Sequence, residues 1–240
     1  MRFVFLFFIS SFVLNAQDSV YTREIIKFLT SEKCNGRGYV NNGLKEATKY
    51  LVKELKKHNA LPLFGSSYLQ AYTFPVNTFP KKVEVTVNGS KLIPGKDFII
   101  DPSCPTTKGS FKMKNRDSTG YVERDGGKNC TINFSKKLTW SVSGNQSQSC
   151  MVQILRSRVT GDVKICDVNI QAKLIPEFKA TNIGCYIEGE NNDSTVIFTA
   201  HYDHLGVMGK GCMFPGANDN ASGTSMVLNF VKYFSEHKPK

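Results

Sequence analysis

The sequence predicts an α/β fold, and three observations support this prediction. Residues 195–200 form a short apolar, β-rich run without alternation, which is typical of a central strand covered on both faces. After Asp219, apolar residues recur at three- and four-residue steps, which indicates an amphipathic helix. Two further helical patterns occupy residues 21–29 and 44–55 near the N-terminus. The chain therefore combines strands with helices that each have one apolar face.

The two N-terminal helices are separated by a turn. The segment Cys-Asn-Gly-Arg-Gly at 34–38 interrupts the helical pattern, and Asn42 is a candidate N-cap for the second helix. Residues 68–74 then predict an outer strand. The apolar stripes consist of Tyr21, Ile25, Phe28 and Leu29 in the first helix and of Leu44, Ala47, Tyr50, Leu51 and Leu55 in the second.

The middle of the chain has a different sequence pattern. From about 76 to 172, short β-rich runs are broken by Gly, Asn, Ser and Pro, which predicts a β-rich insertion with Trp140 in its core. Its position suits a role in shaping or covering the entrance to a site. Residues 179–189 then return to a strand, which we expect to pair with 196–200 as a hairpin-like neighbour.

A histidine and an aspartate follow the predicted central strand. In open α/β sheets the ligand crevice lies beyond the carboxyl ends of the strands, so His201 stands where function is expected. Asp203 lies two residues further, and in extended backbone that spacing points both side chains the same way. This arrangement suits a carboxylate that holds an imidazole in one tautomer while the other ring nitrogen binds a metal. A hydrogen-bonded surface histidine is the alternative, and His204 is expected to be structural or exposed.

A loop of small residues follows. It surrounds Asn-Asp-Asn at 218–220, so the backbone can turn tightly and approach a bound ion, with Asp219 as the carboxylate offered to a metal. Asn220 or Ser222 is the expected N-cap of the helix that follows. The small residues are Gly216, Ala217, Ala221, Ser222 and Gly223, and the apolar stripe of the helix is Met226, Val227, Phe230, Val231 and Phe234.

In these two motifs, His-Tyr-Asp at 201–203 and Gly-Ala-Asn-Asp-Asn at 216–220, the chain resembles the M28 zinc peptidases, the aminopeptidase group, of the exported bacterial type. The resemblance implies a three-layer α/β/α sandwich of the zinc-peptidase type around a mixed sheet. It also implies that water activated by two zinc ions hydrolyses N-terminal peptide bonds of peptide substrates. By the same resemblance His201 binds one zinc and Asp219 bridges both, while Asp203 assists catalysis by supporting His201 without binding metal.

The resemblance also implies ligands that this sequence does not contain. The family has a Glu-Glu pair, a further Asp and a second His after the helix that follows the bridging Asp, but Glu236 is the one acidic residue after Asp219 here and matches none of them. We therefore expect a fold that is incomplete at the C-terminus, in a fragment that is inactive alone. The alternatives are a non-catalytic binding ectodomain of the same fold and a glutaminyl cyclase-like enzyme.

The N-terminus resembles an export signal. Met1-Arg2 provides a positive start, residues 3–14 are apolar, and Ala16 offers a cleavage position. Twelve apolar residues are too few to span a bilayer. We expect a periplasmic or extracellular protein with no membrane association beyond its signal. The expected division is a signal peptide at 1–16, the first part of the peptidase domain at 17–75, the insertion at 76–172, and the peptidase core with its metal motifs at 173–240.

Charge and cysteine content add two further expectations. The formal net charge of +11 comes from lysines spread along the chain without an aromatic-lined basic groove, so no nucleic-acid partner is predicted. The seven cysteines form no CxxC zinc motif, and their odd number leaves at least one without a partner inside the chain. Those of the middle region, whose pairing the sequence leaves open, are the expected disulfide partners: Cys104, Cys130, Cys150 and Cys166.

Overall fold

The structure is a computed structural model that describes residues 18–123, 129–191 and 193–240. The predicted export signal at 1–16 lies outside the described residues and stays a prediction. Within the described ranges, no helix is both long and apolar enough to cross a lipid bilayer. The mixed α/β class predicted from the sequence is confirmed.

Helices occupy both ends of the described chain, and most strands lie between them. The helices are α1 (Ser19–Leu29), α2 (Gly43–Lys57) and α3 (Ser222–Glu236), with shorter 3-10 turns at Glu32–Arg37 and Arg156–Arg158 and a π turn at Ala217–Ala221. The strands are β1 (Leu61–Pro62), β2 (Leu69–Thr78), β3 (Val83–Val87), β4 (Ser90–Lys91), β5 (Phe98–Ile100), β6 (Thr107–Asp117), β7 (Gly120–Glu123), β8 (Cys130–Ser135), β9 (Cys150–Leu155), β10 (Ile165–Ile170), β11 (Lys173–Ile183), β12 (Cys185–Tyr186), β13 (Gly206–Val207) and β14 (Met213–Phe214).

The helices share one apolar core. Asp18 caps α1, because its carboxylate accepts hydrogen bonds from the backbone N–H groups of Val20 and Tyr21, an arrangement worth about 1 kcal/mol. Lys232 of α3 reaches the same carboxylate at 2.6 Å, so the cap also joins α1 to α3. The predicted apolar stripes of α1 and α2 are confirmed, and buried members of the core include Tyr21, Ile25, Leu29, Ala47, Leu51, Leu55 and Leu228.

The β-rich middle forms a curled eight-stranded sheet around a second core. The strand order is β4-β3-β10-β6-β7-β8-β9-β5, and β8 and β9 are parallel whereas the other neighbours are antiparallel. Trp140 packs against this core and donates its indole N–H to the carbonyl of Ile100 at 2.8 Å. The two separate cores agree with an insertion, and the domain boundaries at 75 and 172 stay predictions. Large buried members are Phe79, Phe98, Ile100, Ile132, Ile154 and Ile170.

The strand before the metal motifs has a different partner from the expected one. Strand β11 pairs antiparallel with β2 over most of its length, with a bulge between Ile175 and Phe178. The predicted pairing of 179–189 with 196–200 is therefore wrong. Nine residue pairs join β11 to β2, whereas residues 196–200 pair with no strand among the described residues.

The interpretation of residues 195–200 as a buried central strand is also wrong for the described structure. The segment has no strand partner among the described residues, and Val196 and Ile197 are 77% and 78% exposed. Phe198 makes a partial contact with Phe230 of α3, with ring centroids 4.4 Å apart. Apolar β-branched residues favour a strand only where a neighbouring strand supplies hydrogen bonds and cover, and neither is present here.

Helix α3 buries a different face from the one predicted. The predicted stripe is only half-buried apart from Val231, and Asn220 rather than Ser222 contributes to the cap by accepting the N–H of Gly223 at 3.1 Å. Polar side chains occupy the buried face instead: Asn229 donates to Thr22 of α1 at 3.0 Å. The residues buried on α3 are Thr224, Ser225, Leu228, Asn229 and Val231.

Candidate metal centre

The structure brings together the three side chains that the sequence singles out. His201 Nε2 lies 3.1 Å from Asp219 Oδ1, and His201 Nδ1 lies 3.4 Å from Asp203 Oδ1. The two ring nitrogens therefore face different carboxylates. In this geometry one carboxylate can orient the imidazole, and the other can bind the same metal ion as the imidazole does. His201 and Asp219 lie 18 positions apart in the sequence. They meet because the loop at 216–221 folds back onto the end of the extended segment that carries His201.

Asp203 is held from the other side by Tyr39. The Tyr39 hydroxyl donates to Asp203 Oδ2 at 2.9 Å, and its ring packs edge-on against Phe74 and Phe178. Burial, followed by the negative charge of Asp203, raises the pKa of Tyr39, so its hydroxyl remains a hydrogen-bond donor. Tyr39 fixes the carboxylate that faces His201. Sequence reasoning did not identify Tyr39, because it lies 164 positions from Asp203 in the chain and only the fold joins the two residues.

His204 lies closer to the site than expected. Its side chain is only 10% exposed, and its Nδ1 lies 3.5 Å from Asp219 Oδ2. Burial lowers the pKa of His204, although the charge of Asp219 opposes this effect. The description as structural is correct, but the contact with Asp219 was missed. The available signal was its position three residues after His201.

The loop that carries Asp219 turns tightly at Gly216. This residue has a φ of +64°, and a Cβ there would lie 2.4 Å from the carbonyl oxygen of Asp219 and 2.5 Å from His204 Cδ2. Only glycine fits this position. The expected tight turn is present, and it places the Asp219 carboxylate 3.1 Å from His201 Nε2, whereas the approach of this backbone to a bound ion stays a prediction.

Arg37 connects the parts of the site from inside the protein. Its side chain is fully buried and donates to backbone carbonyls of three separate segments, so one cation holds the end of α1, the residue between His201 and Asp203, and the loop of Asp219. Burial lowers the pKa of Arg37, but a guanidinium keeps its charge in proteins. The acceptors are Leu29 (2.9 Å), Tyr202 (2.8 Å), Pro215 (2.7 Å), Gly216 (2.7 Å) and Asp219 (3.2 Å).

Two glycines allow the Arg37 turn to touch the site. Gly206 has a φ of +76°, and a Cβ there would lie 2.9 Å from Gly38 Cα. We expect Gly206→Ala to lower the free energy of unfolding by about 3 kcal/mol, combining the left-handed backbone with overpacking. Gly161→Ala is the matched control, with a φ of +73° and open space around it, and should cost about 1 kcal/mol. Urea unfolding measures both variants. If both lost the same free energy of unfolding, the close approach of Gly206 to Gly38 would be contradicted.

The residues present fit part of a zinc site. His201 Nε2 and Asp219 Oδ1 are donors of the kind zinc takes, and their separation of 3.1 Å is close to the spacing of about 3.3 Å between two ligands of one tetrahedral zinc. In the described part of the chain, however, no group of three or more His, Cys, Asp or Glu side chains is arranged to hold a metal ion. The described site thus offers two converging donors and their supports.

Comparison with solved structures defines the class of fold, which is that of the aminopeptidases. An aminopeptidase from Aneurinibacillus sp. strain AM-1 matches with a TM-score of 0.55 and 16% identity, over 92% of this chain and 60% of that chain. A zinc aminopeptidase from Bacillus subtilis matches with a TM-score of 0.57 and 16% identity, over 90% of this chain and 57% of that one. This chain spans somewhat more than half of these solved structures.

Sequence comparison relates the C-terminal part of the chain to one peptidase family. Residues 182–240 match the model of peptidase family M28. Two fungal proteins named vacuolar membrane protease, from Laccaria bicolor and Schizophyllum commune, are 36% and 34% identical over 64 residues, which are 26% of this chain and 6% of each relative. The part matched by the family model contains His201, Asp203 and Asp219. Residues 182–240 are thus similar to the M28 peptidases, and the described fold is similar to that of solved aminopeptidases.

Proposed function

We propose that this chain carries the first half of the catalytic centre of a zinc aminopeptidase, which hydrolyses the N-terminal bonds of peptides. The observation on which this depends is the position of His201 between two carboxylates, one on each ring nitrogen. The M28 match over the same residues and the aminopeptidase fold support it. Zinc, when bound, supplies a Lewis acid and lowers the pKa of a water molecule.

Each residue has a separate task in this proposal. His201 offers Nε2 to one zinc, and Asp219 offers its carboxylate as the bridge between two. The backbone carbonyl of Asp203 accepts from Nδ1–H of His201 at 3.2 Å, and the Asp203 carboxylate lies 3.4 Å from the same nitrogen. This leaves Nε2 free for the metal, since a neutral imidazole has one donor and one acceptor nitrogen. Tyr39 holds Asp203, and Arg37 holds the loop of Asp219 through its backbone carbonyls.

The proposal includes a parent protein longer than these 240 residues. A two-zinc hydrolase needs further ligands and a general base, which we propose lie outside this sequence, so the chain alone is inactive. Three observations support this: the exposed apolar segment at 195–200, the half-buried apolar face of α3, and the span of 57–60% of the solved aminopeptidases. In the parent, another strand would cover 195–200.

A substitution at Ile197 tests the longer parent. In the 240-residue chain, Ile197 is 78% exposed, so Ile197→Asp should change the free energy of unfolding by less than about 0.5 kcal/mol. In the parent it should cost about 3 kcal/mol or more, because a charge would be buried between strands. Ile93→Asp, at a position 51% exposed, should have little effect in both proteins. A small effect of Ile197→Asp in the parent would contradict the added strand.

The activity test uses the parent protein, obtained by reading the coding sequence past Lys240. With zinc, it should release leucine from leucine amide, and a chelator should stop the reaction until zinc is returned. Cyclisation of a peptide with N-terminal glutamine, without release of leucine, would instead favour the glutaminyl cyclase-like alternative. A stop codon at 241 together with no zinc binding would favour the non-catalytic ectodomain. This alternative is kept because no group of three metal donors is found among the described residues.

We propose export to the periplasm or extracellular space, on the basis of the N-terminal signal pattern. The curated relatives are named as vacuolar membrane proteases. Peptides are the proposed partners, and no nucleic acid is expected. Detection of the mature protein, beginning near Gln17, outside the cytosol would test this assignment.

A further inference from the structure

A short hairpin joins the two metal motifs. Its strands, β13 and β14, pair antiparallel through two residue pairs, one of which is Gly206 with Phe214. The hairpin follows the motif of His201 and precedes the loop at 216–221 (the metal loop), which carries Asp219. The path of the hairpin therefore limits where Asp219 can lie relative to His201.

The tip of this hairpin is buried in the core of the curled sheet. Met208 is fully buried there among the apolar side chains of the sheet. Its Sδ accepts the backbone N–H of Ile100 on β5 at 3.5 Å, and the N–H of Gly209 donates to the carbonyl of Phe79 at 2.9 Å. Met208 thus belongs to the core of the curled sheet, although in the sequence it lies between the two metal motifs.

The backbone of the tip also lies close against the sheet. Gly209 has a φ of +69°, and a Cβ there would lie 2.9 Å from the Cβ of Val83 on β3. The N–H of Lys210 donates to the carbonyl of Lys81 at 3.0 Å. Because position 209 has no room for a side chain, glycine allows the hairpin to approach β3. The tip is therefore held through its backbone as well as through Met208.

The sheet also contacts the base of the hairpin. Phe214, the last residue of β14, stacks on Trp140 with ring centroids 4.8 Å apart and ring planes at 20°. Both rings pack against the core of the curled sheet. The next two residues, Pro215 and Gly216, are those whose carbonyls accept from Arg37. The stack therefore holds the chain directly before the metal loop begins.

We propose that the curled sheet positions the metal centre, with Met208 and Trp140 as positioning residues, an inference that rests on the proposed function for the role of His201 and Asp219. An isolated two-stranded hairpin is marginally stable in water, and this one has two residue pairs. It needs another surface to fix its path. The sheet supplies that surface at the tip through Met208 and at the base through Trp140.

Arg37 provides the alternative explanation for the order of the metal loop. Its guanidinium holds carbonyls of the loop from the side of the helices, and those bonds do not involve the sheet. If Arg37 alone were sufficient, loss of the contacts at Met208 or Trp140 would destabilise the sheet and leave the metal loop ordered. If the sheet positions the loop, the same changes release the loop while the chain is still folded.

The first test compares Met208→Ala with Met113→Ala in the 240-residue chain without added metal. Met113 lies on β6 and is buried in the same core, so each change removes the same side chain, and each should lower Tm by about 5–15 °C. Hydrogen exchange is then measured at the N–H groups of Ala221 and Gly223, which are bonded within and next to the metal loop. We expect about tenfold faster exchange in Met208→Ala and less than about twofold in Met113→Ala, because only the first frees the hairpin.

A second pair of variants tests the base of the hairpin and remains informative if Met208→Ala does not fold. Trp140→Leu removes the aromatic stack, whereas Trp140→Phe retains a ring against Phe214. Both changes remove the indole N–H that donates to Ile100, so the difference between them reports the stack. Exchange in the metal loop should be faster in Trp140→Leu and should return most of the way to the wild-type rate in Trp140→Phe. Equal exchange in the two variants would contradict the role of Trp140.

Measurements on the parent protein separate this inference from the proposed function. There, Met208→Ala should lower zinc affinity about 10-fold and, at saturating zinc, lower kcat with KM changed less than about twofold, since it moves a ligand and not the substrate site. Met113→Ala should leave zinc affinity near the wild-type value. Equal exchange in the metal loops of the two Met variants would overturn the positioning role, whatever the activity of the parent. The expected exchange difference in a chain whose parent binds no zinc would uphold the positioning role and refute the zinc assignment.

Discussion

Replacing His201 or Asp219 by Ala in the parent protein should lower its zinc content and reduce kcat/KM by more than about 100-fold. That value is the upper range for residues that only support a metal ligand, and direct ligands should exceed it. His201 Nε2 and Asp219 Oδ1 lie 3.1 Å apart and would bind the same zinc ion. Loss of either donor would therefore remove one ligand from that ion. Zinc analysis and leucine amide hydrolysis measure the two effects separately.

A graded series makes this prediction sharper. Asp203→Asn should cost about 10- to 100-fold in zinc affinity or activity, because it disturbs the orientation of His201 without removing a ligand. His237→Ala is the control, since this exposed histidine packs on Tyr233 at the end of α3, away from the site. Full zinc content and unchanged turnover in His201→Ala would refute the metal assignment.

Replacing Arg37 by Met should have the largest effect on stability, a loss of about 3–5 kcal/mol in the free energy of unfolding. The fully buried guanidinium donates to five backbone carbonyls, and its removal leaves these acceptors without their donors. Met has a similar apolar stem, so the change removes the hydrogen bonds more than the volume. Urea unfolding of the 240-residue chain measures the loss.

Two further variants control for charge and for partial replacement. Arg158→Met removes a half-exposed cation paired with Asp97 at 3.0 Å and should cost less than about 1 kcal/mol. Arg37→Lys should recover only part of the stability, because an ammonium has three donors and lacks the planar fork of Arg. A loss below 1 kcal/mol for Arg37→Met would show that the carbonyls are satisfied in another way.

Much of the fold follows from local patterns. The stripes of α1 and α2 predicted both helices and their buried faces, and alternating β-rich runs predicted strands between them. These predictions succeeded because helical and strand periods repeat within a few residues. The predicted strand at 195–200 is absent from the described structure. Its apolar composition is that of a strand covered by neighbours, but the described residues supply no strand beside it.

The candidate site was predictable only in its outline. His201, Asp203 and Asp219 stand in two short motifs whose residue types match metal chemistry, and the structure brings them within 3.1–3.4 Å. Tyr39 and Arg37 carry no such signal. Tyrosine and arginine serve many roles, and apart from Leu29 the hydrogen-bond partners of Tyr39 and Arg37 lie more than 160 residues away in the sequence.

The sequence by itself determined the helices, the β-rich character of the middle region and the pair of motifs that points to zinc, because each of these depends on residues close together in the chain. Only the tertiary structure decided that β11 pairs with β2, that Arg37 joins three segments behind the site, and that Tyr39 holds Asp203. Such contacts depend on which surfaces the whole chain buries against one another, and no local pattern encodes that choice.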